Sequence, residues 1–371
     1  MLLSISAARL ALTAVALAST LGAPAAAQLT LKVDAGPSSG GLPFPKIWEN
    51  TGWCPPNFVM SAPEMHDFSV QEASWQNHAF IAAVPNQGLK YVRIHSMLNL
   101  VTIRTGASAA HPIPAASYNW TLLDGLLDMV AGDHKLRIGF EFMGNPRTNL
   151  SSHTGVYTSW KAPEQLHGWR GMVQALAQRY IARFGADAVS LWRFETWNEP
   201  DHNCNSKSKM KGGIDCDQDS WLGYWDACSD GLQAAAKVSG SAPLIFGGPG
   251  TGGNTATSWV LPALIKHLGA KFNATGDYGC SYLQWHNKGM LPGEVSYDAR
   301  FPKGKLATTC NSYVDQGIME SVVAQDPAIA RALPMGNEEV DMQGGWSKQL
   351  HWVRFISFSD CFPTGFRLFS E

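Results

Sequence analysis

Apolar residues recur along this chain in two alternating rhythms. Short runs such as Leu89–Ser96, Lys135–Met143 and Cys280–Trp285 are dense in Val, Ile, Leu, Phe and Trp. Longer segments between them carry apolar residues three and four apart. Examples are Leu122, Leu123, Leu126, Leu127 and Val130 within Trp120–Ala131, and Met172, Leu176, Ala177, Tyr180 and Ile181 within His167–Phe184. The first rhythm predicts buried strands and the second amphipathic helices. The strands fall at Lys46–Gly52, Leu89–Ser96, Lys135–Met143, Val189–Trp197, Leu244–Gly248, Cys280–Trp285 and Ala332–Glu339. The helices fall at Gln71–Val84, Trp120–Ala131, His167–Phe184, Trp221–Val238, Trp259–Leu268 and Tyr313–Ala324. Such alternation predicts an α/β fold with a parallel sheet, and this many units point to a (β/α)8 TIM barrel rather than an open sheet. No Gly-rich phosphate fingerprint follows the first strand, which argues against a dinucleotide fold. An eighth strand is not recognisable: past Trp346 there is one apolar stretch, Trp352–Phe358, and then a mixed tail. The expectation is a barrel incomplete at its C-terminus, with open edges on its first and seventh strands.

Composition narrows the class. With 45% hydrophobic residues the chain can bury a large core, and a net charge of −2 without a basic run gives no reason to expect a nucleic acid or a membrane surface as partner. The 14 tryptophans are mostly core by prior, although indole faces also stack on sugar rings. Residues 1–27 read as a signal peptide: Arg9 supplies charge, Leu10–Leu21 is apolar, and Ala25-Ala26-Ala27 is a small-residue cleavage site before Gln28. Three sequons, at Asn119, Asn149 and Asn273, accord with a secretory route and predict glycosylation there. Of the seven cysteines (Cys54, Cys204, Cys216, Cys228, Cys280, Cys310 and Cys361), none are in C-x-x-C spacing, so a zinc site is not expected. Cys204 and Cys216 flank a polar loop that they could staple.

The densest chemistry lies in Phe194-Glu195-Thr196-Trp197-Asn198-Glu199-Pro200-Asp201. A carboxylic acid beside an amide at the end of a barrel strand is what a glycosidase needs as general acid. A second carboxylate is required. Asn337-Glu338-Glu339 ends the seventh strand, and spacing alone does not choose between its two glutamates; a helix N-terminal acidic cluster is the bland alternative. Arg93 and His95 share one parity of the second strand, opposite Val92 and Ile94. An inward Arg can hold a carboxylate ionised, or form a buried structural ion pair. His286 and Lys288 follow the sixth strand and suit sugar hydroxyls or an anion, while Glu141, late on the third, is expected to be structural.

These landmarks resemble the family 39 glycoside hydrolases, members of the large (β/α)8 clan. The similarity is carried by Phe194–Asp201 together with Thr51–Pro56, Ala83–Pro85 through Val92–His95, Ser117–Thr121 and Gly139–Glu141. It continues in Gly247–Gly250, His286–Gly289, Asn337–Asp341 and Gly344–Trp346. The resemblance implies one glycosidase domain over residues 28–371, diverging from about residue 348, with no metal or organic cofactor. It implies Glu199 as acid/base and Glu339, rather than Glu338, as nucleophile of a retaining reaction. It further implies Asn198, His95 and His286 as sugar-binding residues, and Lys288 with the backbone of Gly345 and Trp346 as the site of a uronic carboxylate. Arg93 then supports the nucleophile. The implied substrate is terminal α-L-iduronic acid of the glycosaminoglycans dermatan and heparan sulfate, and the implied location is the lysosome or the extracellular space. A β-xylosidase of the same family is the alternative specificity. The family's eighth strand, with a sugar-binding Asp and Arg, and its C-terminal β-domains have no counterpart after Trp346, so an inactive carbohydrate-binding remnant is the third expectation.

Overall fold

The computed structural model describes residues 49–53, 62–84, 88–104, 113–149, 151–152, 155–204, 213–252, 258–286, 320–322 and 324–339. The elements are β1 (Asn50–Trp53), α1 (Ala62–Val70), α2 (Glu72–Ala82), β2 (Tyr91–Ile94), β3 (Thr102–Ile103), β4 (Tyr118–Asn119), α3 (Thr121–Leu127) and β5 (Arg137–Glu141). They continue with α4 (Pro163–Phe184), α5 (Ala186–Val189), β6 (Arg193–Glu195), α6 (Pro200–Asn203), α7 (Gln218–Ser239), β7 (Ile245–Thr251), α8 (Val260–Thr275), β8 (Tyr282–His286), α9 (Pro327–Ala332) and β9 (Met335–Glu339). Seven strands form one sheet in the order β1-β2-β5-β6-β7-β8-β9, and every neighbouring pair is parallel. Sequential order, parallel sense and intervening helices are those of a (β/α)8 barrel. Strands β3 and β4 form a separate antiparallel pair. The apolar stretch Trp352–Phe358, the tail after it and the expected signal peptide lie outside the described residues.

Strand parity sorts the core from the barrel interior. Val92 and Ile94 on β2, Ile138 and Phe140 on β5, Phe194 on β6 and Leu283 and Trp285 on β8 are buried in the hydrophobic core. Phe140, Phe142 and Phe194 pack ring to ring there. The opposite parity is polar or small: Arg93, Gly139, Glu141, Arg193, Glu195, Gly247, Gln284 and His286. Gly139 makes room in that layer, because a Cβ there would press on the Arg93 Cα and Cβ at 3.0 and 3.1 Å.

Helices cover the outer face for local reasons. Pro163 opens α4 at a position where its missing N–H costs nothing, and Met172, Leu176, Ala177 and Tyr180 line its buried face. Helix α7 starts from a capping box in which Asp217 and Ser220 bond each other's backbone N–H, and ends at left-handed Gly240. An ionic clamp joins α7 to α8: Asp226 accepts from His267 and from Lys271, each at 2.9 Å. Burial pushes the Asp226 carboxyl up, but these two hydrogen bonds outweigh it and hold the group below the usual carboxylate range. A depressed carboxyl contributes stability above its unfolded pKa of about 3.9, and that contribution is lost as pH falls through the lower folded value. Asp226→Asn is therefore expected to lower unfolding free energy by about 1–2 kcal/mol at neutral and mildly acidic pH. The difference should shrink progressively in urea titrations as the pH is lowered below the unfolded carboxyl value of about 3.9.

Two predicted strands are corrected, and a helix that was not predicted is added. Val189–Trp197 is not one strand: α5 takes Ala186–Val189, and β6 is only Arg193–Glu195. Val189 and Trp192 are buried while Leu191 is exposed, a spacing of three rather than two, so that apolar run serves a helical turn. Ala332 ends α9, whose N-terminus is capped by Asp326, and β9 starts at Met335. Ahead of the predicted helix at Gln71, α1 covers Ala62–Val70. The predicted helix Tyr313–Ala324 falls mostly outside the described residues.

Candidate active site

The carboxylate singled out by sequence stands in a sharp corner beyond β6. Glu199 has φ 49° and ψ 54°, a left-handed conformation that L residues other than Asn and Asp seldom adopt. Two features hold it there: its N–H donates to the Gly250 carbonyl at 2.8 Å, and Pro200 at once begins α6. The half-buried carboxylate lies between two imidazoles, with Oε1 3.2 Å from His286 Nδ1 and Oε2 3.4 Å from His202 Nδ1. His286 is almost wholly buried at the C-terminal end of β8, so its contact joins two strand ends across β7.

The Gly-rich end of β7 makes this closeness possible. A Cβ on Gly252 would lie 2.7 Å from Glu199 Cδ and 2.6 Å from His202 Cε1. One on Gly250, itself at φ +56°, would lie 3.2 Å from His286 Nε2. The Gly252 N–H donates to Asp201 Oδ1 at 2.9 Å, tying this backbone to α6. The chain thus packs bare peptide against the acid.

Beneath Glu199 lies a buried polar cluster. Arg93 pairs with Glu141, donates from Nε to Glu195 Oε2 at 2.7 Å, and donates from Nη2 to Asn198 Oδ1 at 3.0 Å. Asn198 is thereby fixed beside the acid. Glu141 also takes His95 Nδ1 at 2.5 Å, which sets the orientation of that ring. The Tyr282 hydroxyl donates to Glu195 Oε1 at 3.2 Å. Register explains the cluster, because β5 and β6 pair Glu141 with Glu195 and β2 supplies the cation between them.

Of the predicted residues, Arg93, His95 and Asn198 are joined through buried Glu141 and Glu195, Glu199 and His286 meet in a second contact, and the Asn198–Glu199 peptide links the two sets. Lys288, Gly345 and Trp346 lie outside the described residues, as do the Glu339 side chain and its expected support by Arg93. The backbone of Glu339 ends β9, and a register shift after Trp285 pairs it, rather than Glu338, with His286. Sequence reasoning missed Glu195, His202 and Tyr282. The signal for Glu195 was present: an acid inside an apolar strand needs a buried cation, and Arg93 on β2 is one. Among the sequons, Asn119 and Asn149 accept bonds from the hydroxyl and N–H two residues on, and Asn273 is exposed near the end of α8. Among the described residues no group of three or more His, Cys, Asp or Glu is arranged to hold a metal ion. No helix among them is long and apolar enough to cross a membrane.

Parallel strands in barrel order, with a carboxylic acid and two histidines gathered beyond their C-terminal ends, place the chain in the (β/α) barrel class, with its candidate active site on that rim. More narrowly, the chain belongs to glycosyl hydrolases family 39, whose sequence model matches residues 31–353. The alpha-L-iduronidase of Homo sapiens is 35% identical over 368 residues, covering 95% of this chain and 48% of that protein. That of Mus musculus is 33% identical over 322 residues, covering 86% and 44%. The chain spans about half the length of these relatives. A solved structure of a bacterial orthologue of human α-L-iduronidase is similar with a TM-score of 0.59 at 30% identity, covering 81% of this chain and 41% of that chain. A monomeric beta-xylosidase from Caulobacter crescentus CB15 shares the fold, with a TM-score of 0.51 at 22% identity, 79% of this chain and 52% of that one.

Proposed function

We propose that this protein is a retaining exo-glycosidase that releases terminal α-L-iduronic acid from glycosaminoglycans such as dermatan and heparan sulfate. The observation that carries the reading is Glu199, locked in its left-handed corner against His286 and His202 at the mouth of the barrel. Glu199 protonates the leaving oxygen while Glu339 attacks the anomeric carbon to form a glycosyl ester. Glu199 then takes a proton from water, which displaces Glu339 with a second inversion. The register that pairs Glu339 with His286 supports its role, since it brings the second glutamate's backbone to the rim that carries Glu199.

Binding follows the same network. Asn198, fixed by Arg93, and His95, fixed by Glu141, contact sugar hydroxyls, as does the buried His286 beside the acid. Lys288 and the peptide N–H groups at Gly345 and Trp346 receive the uronic carboxylate, an anion that calls for a cation and oriented donors. A secretory destination, lysosomal or extracellular, with glycans at Asn119, Asn149 and Asn273, is supported by the bonded Cys204–Cys216 pair, which fits an oxidising compartment.

The test is a comparison of aryl α-L-iduronide with aryl β-D-xyloside on the 371-residue chain. Hydrolysis of the iduronide, with the first-formed product retaining configuration by proton NMR, is expected. Turnover of the xyloside alone would replace the substrate assignment. A cooperatively folded chain that binds but cleaves neither would make it a carbohydrate-binding protein.

A further inference from the structure

The general acid is tied to the rest of the molecule by more than its own turn. Helix α6, a single turn, leaves the Glu199 corner directly, and its His202 contacts Glu199 Oε2. A helix of four residues has no stability of its own. Its last residue is followed by buried Cys204, whose N–H donates to the Pro200 carbonyl at 2.8 Å and whose sulfur is bonded to Cys216.

Cys216 is anchored on both sides. Asp215 exchanges backbone hydrogen bonds with Thr158 and Trp160 at 2.8 and 2.9 Å. Asp217 is the N-cap of α7, whose first turns bury Trp221, Tyr224 and Trp225. Lys161 reaches both flanking carboxylates, Asp215 and Asp217, at 3.4 Å. One end of the disulfide therefore sits in rigid core, and the other holds a one-turn helix whose other tethers include the strained Glu199 corner and the Gly252–Asp201 hydrogen bond.

We propose that the Cys204–Cys216 disulfide is a positioning device for the acid/base: it clamps α6 so that His202 and the left-handed Glu199 keep the geometry needed for proton transfer. Cys204 and Cys216 touch no substrate and act through Glu199. The inference rests on the assignment of Glu199 as general acid, and its test includes a readout that does not need that assignment.

The experiment compares the full chain with Cys204→Ser/Cys216→Ser. With a 4-methylumbelliferyl iduronide, whose departure needs a proton, kcat/KM should fall by about 10- to 100-fold, part of what general acid catalysis supplies. With the 2,4-dinitrophenyl iduronide, whose departure does not, kcat/KM should stay within about threefold. Equal losses on both substrates, or none on either, would overturn the proposal, because reduced folding moves both alike. In parallel, hydrogen exchange by mass spectrometry should show faster exchange in Trp197–Cys204 with α7 unchanged. Unchanged protection of Trp197–Cys204 would overturn the proposal even if the wild-type chain cleaves no iduronide, an outcome that would overturn the activity assignment separately. Should the double variant not fold, the same measurements are made on the folded chain after phosphine reduction. The phosphine there becomes its oxide as two thiols form, and alkylation is mapped to Cys204 and Cys216.

Discussion

Glu199→Gln is expected to lower kcat/KM for a poor-leaving-group aryl iduronide by about 10²- to 10⁴-fold, the range that general acid–base catalysis contributes. Gln keeps the shape of the side chain and can still hydrogen-bond His286 and His202, so the left-handed corner and its peptide contacts survive. Only the transferable proton is removed. Unfolding by urea should accordingly match wild type within about 0.5 kcal/mol, as for substitutions that disturb no packing. An activated dinitrophenyl iduronide separates the two half-reactions. Its glycosylation step proceeds without an acid, but the ester formed at the second glutamate then waits for a base, so a burst followed by slow turnover is expected. Azide, which needs no base, should restore turnover. In Glu339→Gln azide should have no such effect, and activity should fall by more than about 10⁴-fold, as when a nucleophile is lost. Retained activity in Glu339→Gln but not in Glu338→Gln would reverse the assignment of nucleophile.

Much of this arrangement could be read from the chain, for identifiable reasons. Strand parity separates Val92 and Ile94 from Arg93 and His95 in any register, so the polar interior was legible before pairing was known. The C-terminal rim was legible for the same reason: Asn198-Glu199 and His286 follow apolar runs whose polarity along the barrel is fixed by the parallel sense. What remained hidden depended on which strands become neighbours. Glu195 gains its meaning only when β5, β6 and β2 are side by side, where it meets Glu141, Arg93 and Tyr282. Spacing could not choose between Glu338 and Glu339 because a strand alternates strictly and gives no origin. The break in register after Trp285 pairs the Glu339 backbone with His286, a pairing that depends on the partner strand and not on spacing along β9. The glycines of β7 were legible as a turn, yet their purpose, close approach to an acid three-dimensionally adjacent but distant in sequence, was not. Val189–Trp197 was misread because an apolar run with both helical and strand-like spacings is ambiguous until its exposure is known.

Arg93→Met is expected to destabilise the protein by about 3–5 kcal/mol, the usual consequence of leaving a buried charge without its partner. Arg93, Glu141 and Glu195 are all buried, and β5–β6 register places the two glutamates opposite each other, with backbones about 4.8 Å apart. The Arg93 guanidinium is what keeps this arrangement tolerable: it pairs with Glu141, bonds Glu195 and still reaches Asn198. Methionine matches the aliphatic stem but supplies no donor, so both carboxylates lose a partner while the volume stays nearly constant. The triple variant Arg93→Met/Glu141→Gln/Glu195→Gln distinguishes the electrostatic cause from a packing one. Neutral amides can hydrogen-bond each other, so its loss should be at least about 2 kcal/mol smaller than that of Arg93→Met alone. Urea midpoints with unchanged m-values would report this directly. Equal losses in the single and triple variants would mean that the arginine matters for filling space rather than for neutralising the acids. Activity should not recover with stability in the triple variant, because Asn198 still lacks the donor that fixes it and His95 no longer has a carboxylate to orient its ring. The cluster therefore joins two tasks in one set of bonds: it makes two buried acids compatible with the barrel interior, and it fixes the Asn198 amide and the His95 imidazole, the groups proposed to bind the sugar.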